Sequence, residues 1–238
     1  MSIKIPAIQG IIDRRILINF TANPGSIEKI LPSSFRPKLY KQKAIVGICL
    51  IRLKQIRPKG FPGFIGISSE NAAHRIAVEW TENGKIKEGV FIPRRDTSSV
   101  LITIAGGRVF PGRHFHSKFN VQEEKGNYHI SFKSSDNTSI SIDAKETNLF
   151  STASIFENLD NASRFFEAGE IGYSPNAGKY DGLKLKTLNW KVKPLQVQSV
   201  QSSFFENETI FPAGSIQFDN ALLMTEIKHE WHSVEQML

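Results

Sequence analysis

Apolar and polar residues alternate with a period of two along much of this chain, and turn-forming residues bound the alternating runs. Arg75-Ile76-Ala77-Val78-Glu79-Trp80, Tyr128-His129-Ile130-Ser131-Phe132 and Ser139-Ile140-Ser141-Ile142-Asp143 each read as a strand. So does the β-branched run Val100-Leu101-Ile102-Thr103-Ile104. Leu183-Lys184-Leu185, residues 195–200 and residues 222–227 supply later strands. Asn83-Gly84 and Lys125-Gly126-Asn127 carry the residue types that tight hairpins require. Only two segments carry helix signals. Residues 23–31 place Pro and cap-type residues before an apolar pair, and Pro32 ends the run. Residues 159–168 offer Asp160 or Asn161 as cap, set Phe165 and Phe166 near one face, and stop at Gly169. So few crossover helices between so many strands predict an α+β protein with a mainly antiparallel sheet, not βαβ units. No repeat or composition break divides residues 1–238, which read as a single domain.

Composition narrows the function classes. A chain of 238 residues can bury a core without disulfides or metals, and its 17 phenylalanines point to an aromatic-rich interior. The one cysteine, Cys49, cannot form an intramolecular disulfide. It lies in the apolar run Ala44-Ile45-Val46-Gly47-Ile48-Cys49-Leu50-Ile51, where a buried, inert thiol is the expectation. Met1-Ser2-Ile3-Lys4-Ile5-Pro6 lacks a signal-peptide pattern, and no apolar run reaches the roughly 20 residues of a membrane span. A cytoplasmic protein with no membrane partner is expected. The net charge of +7 is spread along the chain, and its densest basic cluster, Arg52 to Lys59, alternates with apolar residues as an exposed strand would. That distribution argues against nucleic acid and for a small anionic ligand.

Residues 106–117 concentrate the candidate chemistry. Gly106-Gly107 breaks the preceding run, Pro111-Gly112 bends the chain again, and Arg113, His114 and His116 crowd together. A phosphate-cradling loop is excluded, because no helix follows the glycines. The segment resembles the active-site segment of acetoacetate decarboxylases, where an aromatic residue and a proline precede two lysines. Gly112 and Arg113 stand at the matching positions. The resemblance extends over nearly the whole chain: Arg14-Arg15-Ile16-Leu17-Ile18-Asn19-Phe20, then Ile30-Leu31-Pro32, Glu70-Asn71 with Arg75, Phe165-Phe166-Glu167, Gly172-Tyr173, Trp190 and Pro194-Leu195. In order and spacing these landmarks resemble the YqjF-like branch of the acetoacetate-decarboxylase-like superfamily. The resemblance implies a cone-shaped β-barrel or double-layered sheet with a few outer helices and an internal ligand cavity.

The resemblance also implies a site without the Schiff-base lysine. Glycine has no amine and arginine stays protonated, while Lys118 lies six residues beyond the matched position. Arg75, Arg95 and Arg113 are the candidate carboxylate-binding residues, since guanidinium pairs bidentately with carboxylate. Glu70, Glu79, His114 and His116 are the candidates for proton transfer. Arg94 with Arg95, after Pro93, reads as a solvated loop edge or as an anion-recognition rim. His114 and His116, two apart on a strand, share a face, but a metal site would need further ligands, so neither metal nor cofactor is expected. His229 and Trp231 alternate and face inward in a structural role. Two functions fit: an enzyme, of lyase or hydrolase type, acting on a small carboxylate or keto acid without a lysine Schiff base, or a non-catalytic β-barrel binding a small organic ligand. The sequence leaves homo-oligomerisation open.

Overall fold

The computed structural model describes residues 7–107 and 110–237. The amino-terminal residues 1–6 and, in the glycine-rich segment, Arg108 and Val109 lie outside the described residues. Thirteen strands form one mixed sheet. In chain order they are β1 (Ile8–Ala22), β2 (Arg36–Pro37), β3 (Leu39–Tyr40), β4 (Lys43–Pro58), β5 (Ile67–Glu82), β6 (Lys85–Thr97), β7 (His114–Glu124), β8 (Asn127–Ser134), β9 (Ser139–Glu146), β10 (Ile171–Asn176), β11 (Lys179–Thr187), β12 (Lys193–Ser202) and β13 (Ile216–Met237). Three helices accompany them: α1 (Pro24–Glu28), α2 (Val100–Ala105) and α3 (Leu159–Glu167). Every pairing is antiparallel except β6 with β7 and β6 with β10. Among the described residues no helix is long and apolar enough to cross a membrane.

The hydrogen-bonded strands close two rings. One runs β6-β7-β8-β9-β12-β13-β1-β4-β5 and returns to β6. The other returns from β6 to β13 through β10 and β11. The two rings share β13, β1, β4, β5 and β6. Both faces of this shared wall are buried, which explains why β4 reads as an unbroken apolar run and not as an alternating one. Ala44, Val46, Ile48 and Leu50 pack into one core with Phe132, Ile142 and Phe205. Ile45, Cys49 and Leu53 pack into the other with Phe156, Phe166 and Leu222.

The hairpin turns fall where the sequence puts them. Asn83-Gly84 has φ values of 49° and 73°, and Lys125-Gly126 has 48° and 78°, the left-handed pairs that match strand twist. Residues 100–104, read above as a strand, are instead α2. Ser99 is extended and its side chain accepts a hydrogen bond from the Ile102 amide, capping a short helix. Only Ile102 of that helix is buried, so local capping prevails over β-branched propensity where no neighbouring strand pairs with the segment. The cap of α3 is Asn158, which accepts from the Asn161 amide; the cap is therefore neither Asp160 nor Asn161. The helical part of residues 23–31 shortens to α1, capped by Asn23.

Candidate anion site

Strand register brings an unusual set of side chains to one face of the shared wall. Leu17 on β1 pairs with Cys49 on β4, Cys49 with Ala73 on β5, Ala73 with Arg95 on β6, and Arg95 with His114 on β7. Directly paired residues project to the same face of a sheet. Arg15 and Arg75 lie two positions from Leu17 and Ala73, so strand alternation puts them on that face too. Arg75 crosses above Gly47: a Cβ there would sit 3.3 Å from Arg75 Nη2 and 2.4 Å from the Ile18 carbonyl. Glycine is thus required for the close approach of both backbone and guanidinium.

The far end of β13 joins the same face. Met224 and Ile227 both pack into the Cys49 core, although they are three residues apart. Glu226, at φ 54°, interrupts the strand alternation between them, while β13 keeps its register with β1 there, Ile12 with Ile227 and Arg14 with Thr225. Beside it, β1 shifts register against β4 between Ile12 and Arg14. These paired irregularities keep Ile227, His229 and Trp231 facing inward. His229 pairs with Gly10 and Trp231 with Ile8.

Three arginines converge here without a carboxylate ion-paired to any of them among the described residues. Arg15 Nη2 donates to Cys49 Sγ at 3.8 Å, and its Cζ lies 5.9 Å from the centre of a Trp190 ring. Arg15 Nε and Nη1 are buried and have no hydrogen-bond partner. Arg75 is 5% exposed, donates from Nη2 to Asn19 Oδ1, stacks 4.7 Å above Phe166, and leaves Nε unpartnered. Arg95 donates from Nε to Ser174 Oγ at 2.9 Å. Burial lowers the Arg95 pKa to about 10, against the favourable charges of Cys49 and Asp181. Burial likewise lowers Arg75, partly opposed by Cys49.

The titratable neighbours respond to this positive field. Burial alone would raise the Cys49 thiol; Arg75 and then Arg15 outweigh it and hold the thiol below its ordinary value. Burial, reinforced by Arg95, lowers His114 to about 3. His114 Nδ1 lies 3.2 Å from the Gly112 carbonyl. Burial lowers His229 to about 4; the Ile227 backbone opposes this shift and Arg15 adds to it. No ring nitrogen of His229 reaches hydrogen-bonding geometry with a described residue. Both imidazoles are therefore neutral at neutral pH. Isolated buried cations and unpartnered polar atoms cost stability, and an anion seated among them would satisfy both at once.

The remaining candidates lie elsewhere. Glu70 bridges Arg14 and Arg52, at 2.5 Å from each, in a network with Glu123. Glu79 pairs with Arg36 at 3.1 Å near the β2 edge. His116 and Lys118 are exposed on β7. No group of three or more His, Cys, Asp or Glu side chains with metal-binding geometry occurs among the described residues. Arg113 is exposed and lies 4.8 Å from the Phe115 ring. With Phe115, Ser174, Asn176, Lys179 and Tyr180 it lines an outer cavity of about 470 Å³. Ser174 belongs to that lining and also accepts from Arg95, so the outer cavity and the arginine cluster meet at one side chain. Gly112 has no free space beside it. It has φ 71°, and a Cβ would fall 2.4 Å from Ser174 Cβ; β10 fills the position. Arg15 and Cys49 are the residues that sequence reasoning did not assign to the site. The available signal was Arg15, a charged residue two positions before Leu17 at the start of the apolar run Ile16-Leu17-Ile18.

Comparison with known proteins places this geometry. The sequence profile of the DUF2071 family, described as an uncharacterized conserved protein, matches residues 12–224. The chain belongs to that family. No curated protein sequence matches it. Among solved structures, an acetoacetate decarboxylase from Legionella pneumophila superposes with a TM-score of 0.61 at 13% identity, covering 97% of this chain and 88% of its own. An acetoacetate decarboxylase-like enzyme from Sphingomonas wittichii gives 0.59 at 7% identity, with 99% and 93% coverage. The enduracididine biosynthesis enzyme MppR, complexed with pyruvate, gives 0.55 at 6% identity, with 98% and 89% coverage. At these identities the likeness shows the fold: this DUF2071 chain has the acetoacetate-decarboxylase-like fold.

Proposed function

We propose that this DUF2071 protein binds a small carboxylate or keto acid at Arg15, Arg75 and Arg95, and that it does so without a lysine Schiff base. The observation that carries the reading is the convergence of three arginines on one buried face with no carboxylate among the described residues ion-paired to them. Guanidinium recognises carboxylate through two parallel charge-assisted hydrogen bonds, and its value rises where water is excluded. His114, neutral beside Arg95, is the member of the sequence-derived set best placed to hydrogen-bond such a ligand or relay its proton. Arg113 serves in this reading as the outer cation, drawing anions into the cavity behind whose Ser174 wall Arg95 lies. Glu70 and Glu79 have structural roles as ion-pair partners. The chain is read as one domain whose closed strand rings form the cone, in keeping with the YqjF-like branch. MppR, on the same fold, is complexed with pyruvate, which supports a keto acid as the ligand class.

Calorimetric titration with pyruvate and acetoacetate tests this. Binding to the intact chain is expected, and Arg95→Gln should weaken it by about tenfold or more, as loss of a hydrogen bond to charge implies. Equal affinity in the variant sinks the assignment. Borohydride with acetoacetate should leave no covalent adduct; a trapped lysine would restore the Schiff-base route. Turnover of a keto acid in the same samples separates an enzyme from a non-catalytic binding protein.

A further inference from the structure

We infer that Cys49 is a nucleophile that adds reversibly to the carbonyl carbon of a keto acid anchored by Arg15, Arg75 and Arg95. The inference rests on the anion-site reading above and gives the site a covalent function. A thiol enclosed by apolar wall residues alone would be inert. Cys49 differs in what surrounds it. Arg15 donates directly to its sulfur at 3.8 Å. Arg75, 95% buried, has an unpartnered Nε and crosses β4 at Gly47, two positions from Cys49 on the same face. Arg95, one strand beyond the cross-strand partner Ala73, completes the positive surround. These donors exceed what one sulfur can accept, so they have capacity left for a carboxylate and for an oxygen that gains charge.

The step balances without a co-reactant. A sulfur electron pair forms the S–C bond, and the carbonyl π pair moves onto oxygen. The thiol proton finishes on that oxygen, giving a thiohemiketal that still carries its carboxylate. The reverse step restores thiol and keto acid. The arginines stabilise the thiolate before attack and the alkoxide after it, where preorganised donors act most strongly. A tetrahedral sulfur-bound carbon therefore forms in place of the iminium that a lysine would form.

The chain has a single cysteine, so an intact-mass increment reports Cys49 without ambiguity. The folded protein is treated in parallel with bromopyruvate, an anionic alkylating keto acid, and with neutral iodoacetamide, each normalised to its rate with free cysteine. Bromopyruvate should label at least about tenfold faster on this scale, the preference should vanish in Arg15→Gln, and pyruvate should protect. Pyruvate isotopically labelled at its carbonyl carbon should show a tetrahedral carbon resonance with the intact chain that is absent with Cys49→Ala. Labelling by bromopyruvate no faster than by iodoacetamide, or no tetrahedral resonance, overturns the inference. If Cys49→Ala still binds pyruvate while those signals are missing, only the thiol assignment fails. If no form of the chain binds pyruvate and bromopyruvate shows no preference, the anion site fails with it.

Discussion

On one face of β1, Arg14 meets Glu70 and Glu123, and Arg52 closes the same ring of charges with Asp13. On the other face, one residue along, Arg15 meets a thiol and a Trp190 ring. The contrast recurs on β6. Arg94 holds Asp96 through two bonds of 2.8 Å and Asp136 through bonds of 2.6 and 3.1 Å, whereas Arg95 reaches the Ser174 hydroxyl alone. Strand alternation has sorted adjacent arginines into a neutralised set and an open set. The neutralised set is costly to break, because each partner leaves a buried charge behind. The open set is costly to keep, because no carboxylate among the described residues is ion-paired to it against its desolvation. Residues retained against their own contribution to stability mark function, and this contrast separates Arg15 and Arg95 from Arg14 and Arg94 where residue type cannot.

Acid pH should produce the largest break, since it charges groups that the fold keeps neutral on both faces. His74, lowered to about 3 mainly by burial and further by Arg94, joins His114 and His229. Their folded-state values lie below the ordinary value of 6.5, so the unfolded chain takes up protons first. Stability is complete above pH 6.5 and drains as pH falls toward 3–4. The slope approaches about 1.4 kcal/mol per pH unit for each histidine. Urea unfolding between pH 7 and 4 measures it, and a flat profile would refute the buried-neutral assignment. Next in size is Asp96→Ala, which takes from Arg94 its fully buried carboxylate and leaves only the exposed Asp136, and should cost about 2–3 kcal/mol in the same assay. Arg95→Leu should by contrast leave stability unchanged or raise it; a loss as large as that of Asp96→Ala would erase the distinction between the two sets. For ligand binding, Arg75→Gln should weaken pyruvate by about tenfold or more, while Arg14→Gln should act through stability and leave the affinity of the folded fraction alone. The smallest effect belongs to Glu79→Gln. Its half-exposed pair with Arg36 predicts a change within about 1 kcal/mol and an unaltered pyruvate titration.

Much of the strand pattern was legible in the sequence, because alternation and left-handed turn residues are local signals: 75–80, 128–132, 139–143 and both hairpins show it. Residues 100–104 were misread because β-branched propensity was visible, while the Ser99 cap was passed over and the lack of a partner strand could not be seen. The site was only half legible. Arg75, Arg95 and His114 were candidates, but Glu70, Glu79 and Arg113 had equal standing until register separated them. Arg15 and Cys49 stayed hidden for a physical reason. Their shared face depends on which residues pair across β1, β4 and β5, and the inward turn of His229 depends on the left-handed residue Glu226 and the register shift of β1 against β4 beside it. Neither a cross-strand register nor a bulge leaves a mark within a single segment.

The wall shared by the two rings has one more consequence. Each of β1 and β4 is hydrogen-bonded on both edges and covered on both faces, so local fraying cannot expose its central amides. Deuterium should therefore enter residues 45–50 and 16–19 last, at rates set by global opening of the whole chain. A ligand bound at Arg15, Arg75 and Arg95 would slow exchange there by the full increment of its binding free energy. The middle of the sheet would then act as a built-in gauge of occupancy, readable before any turnover has been found.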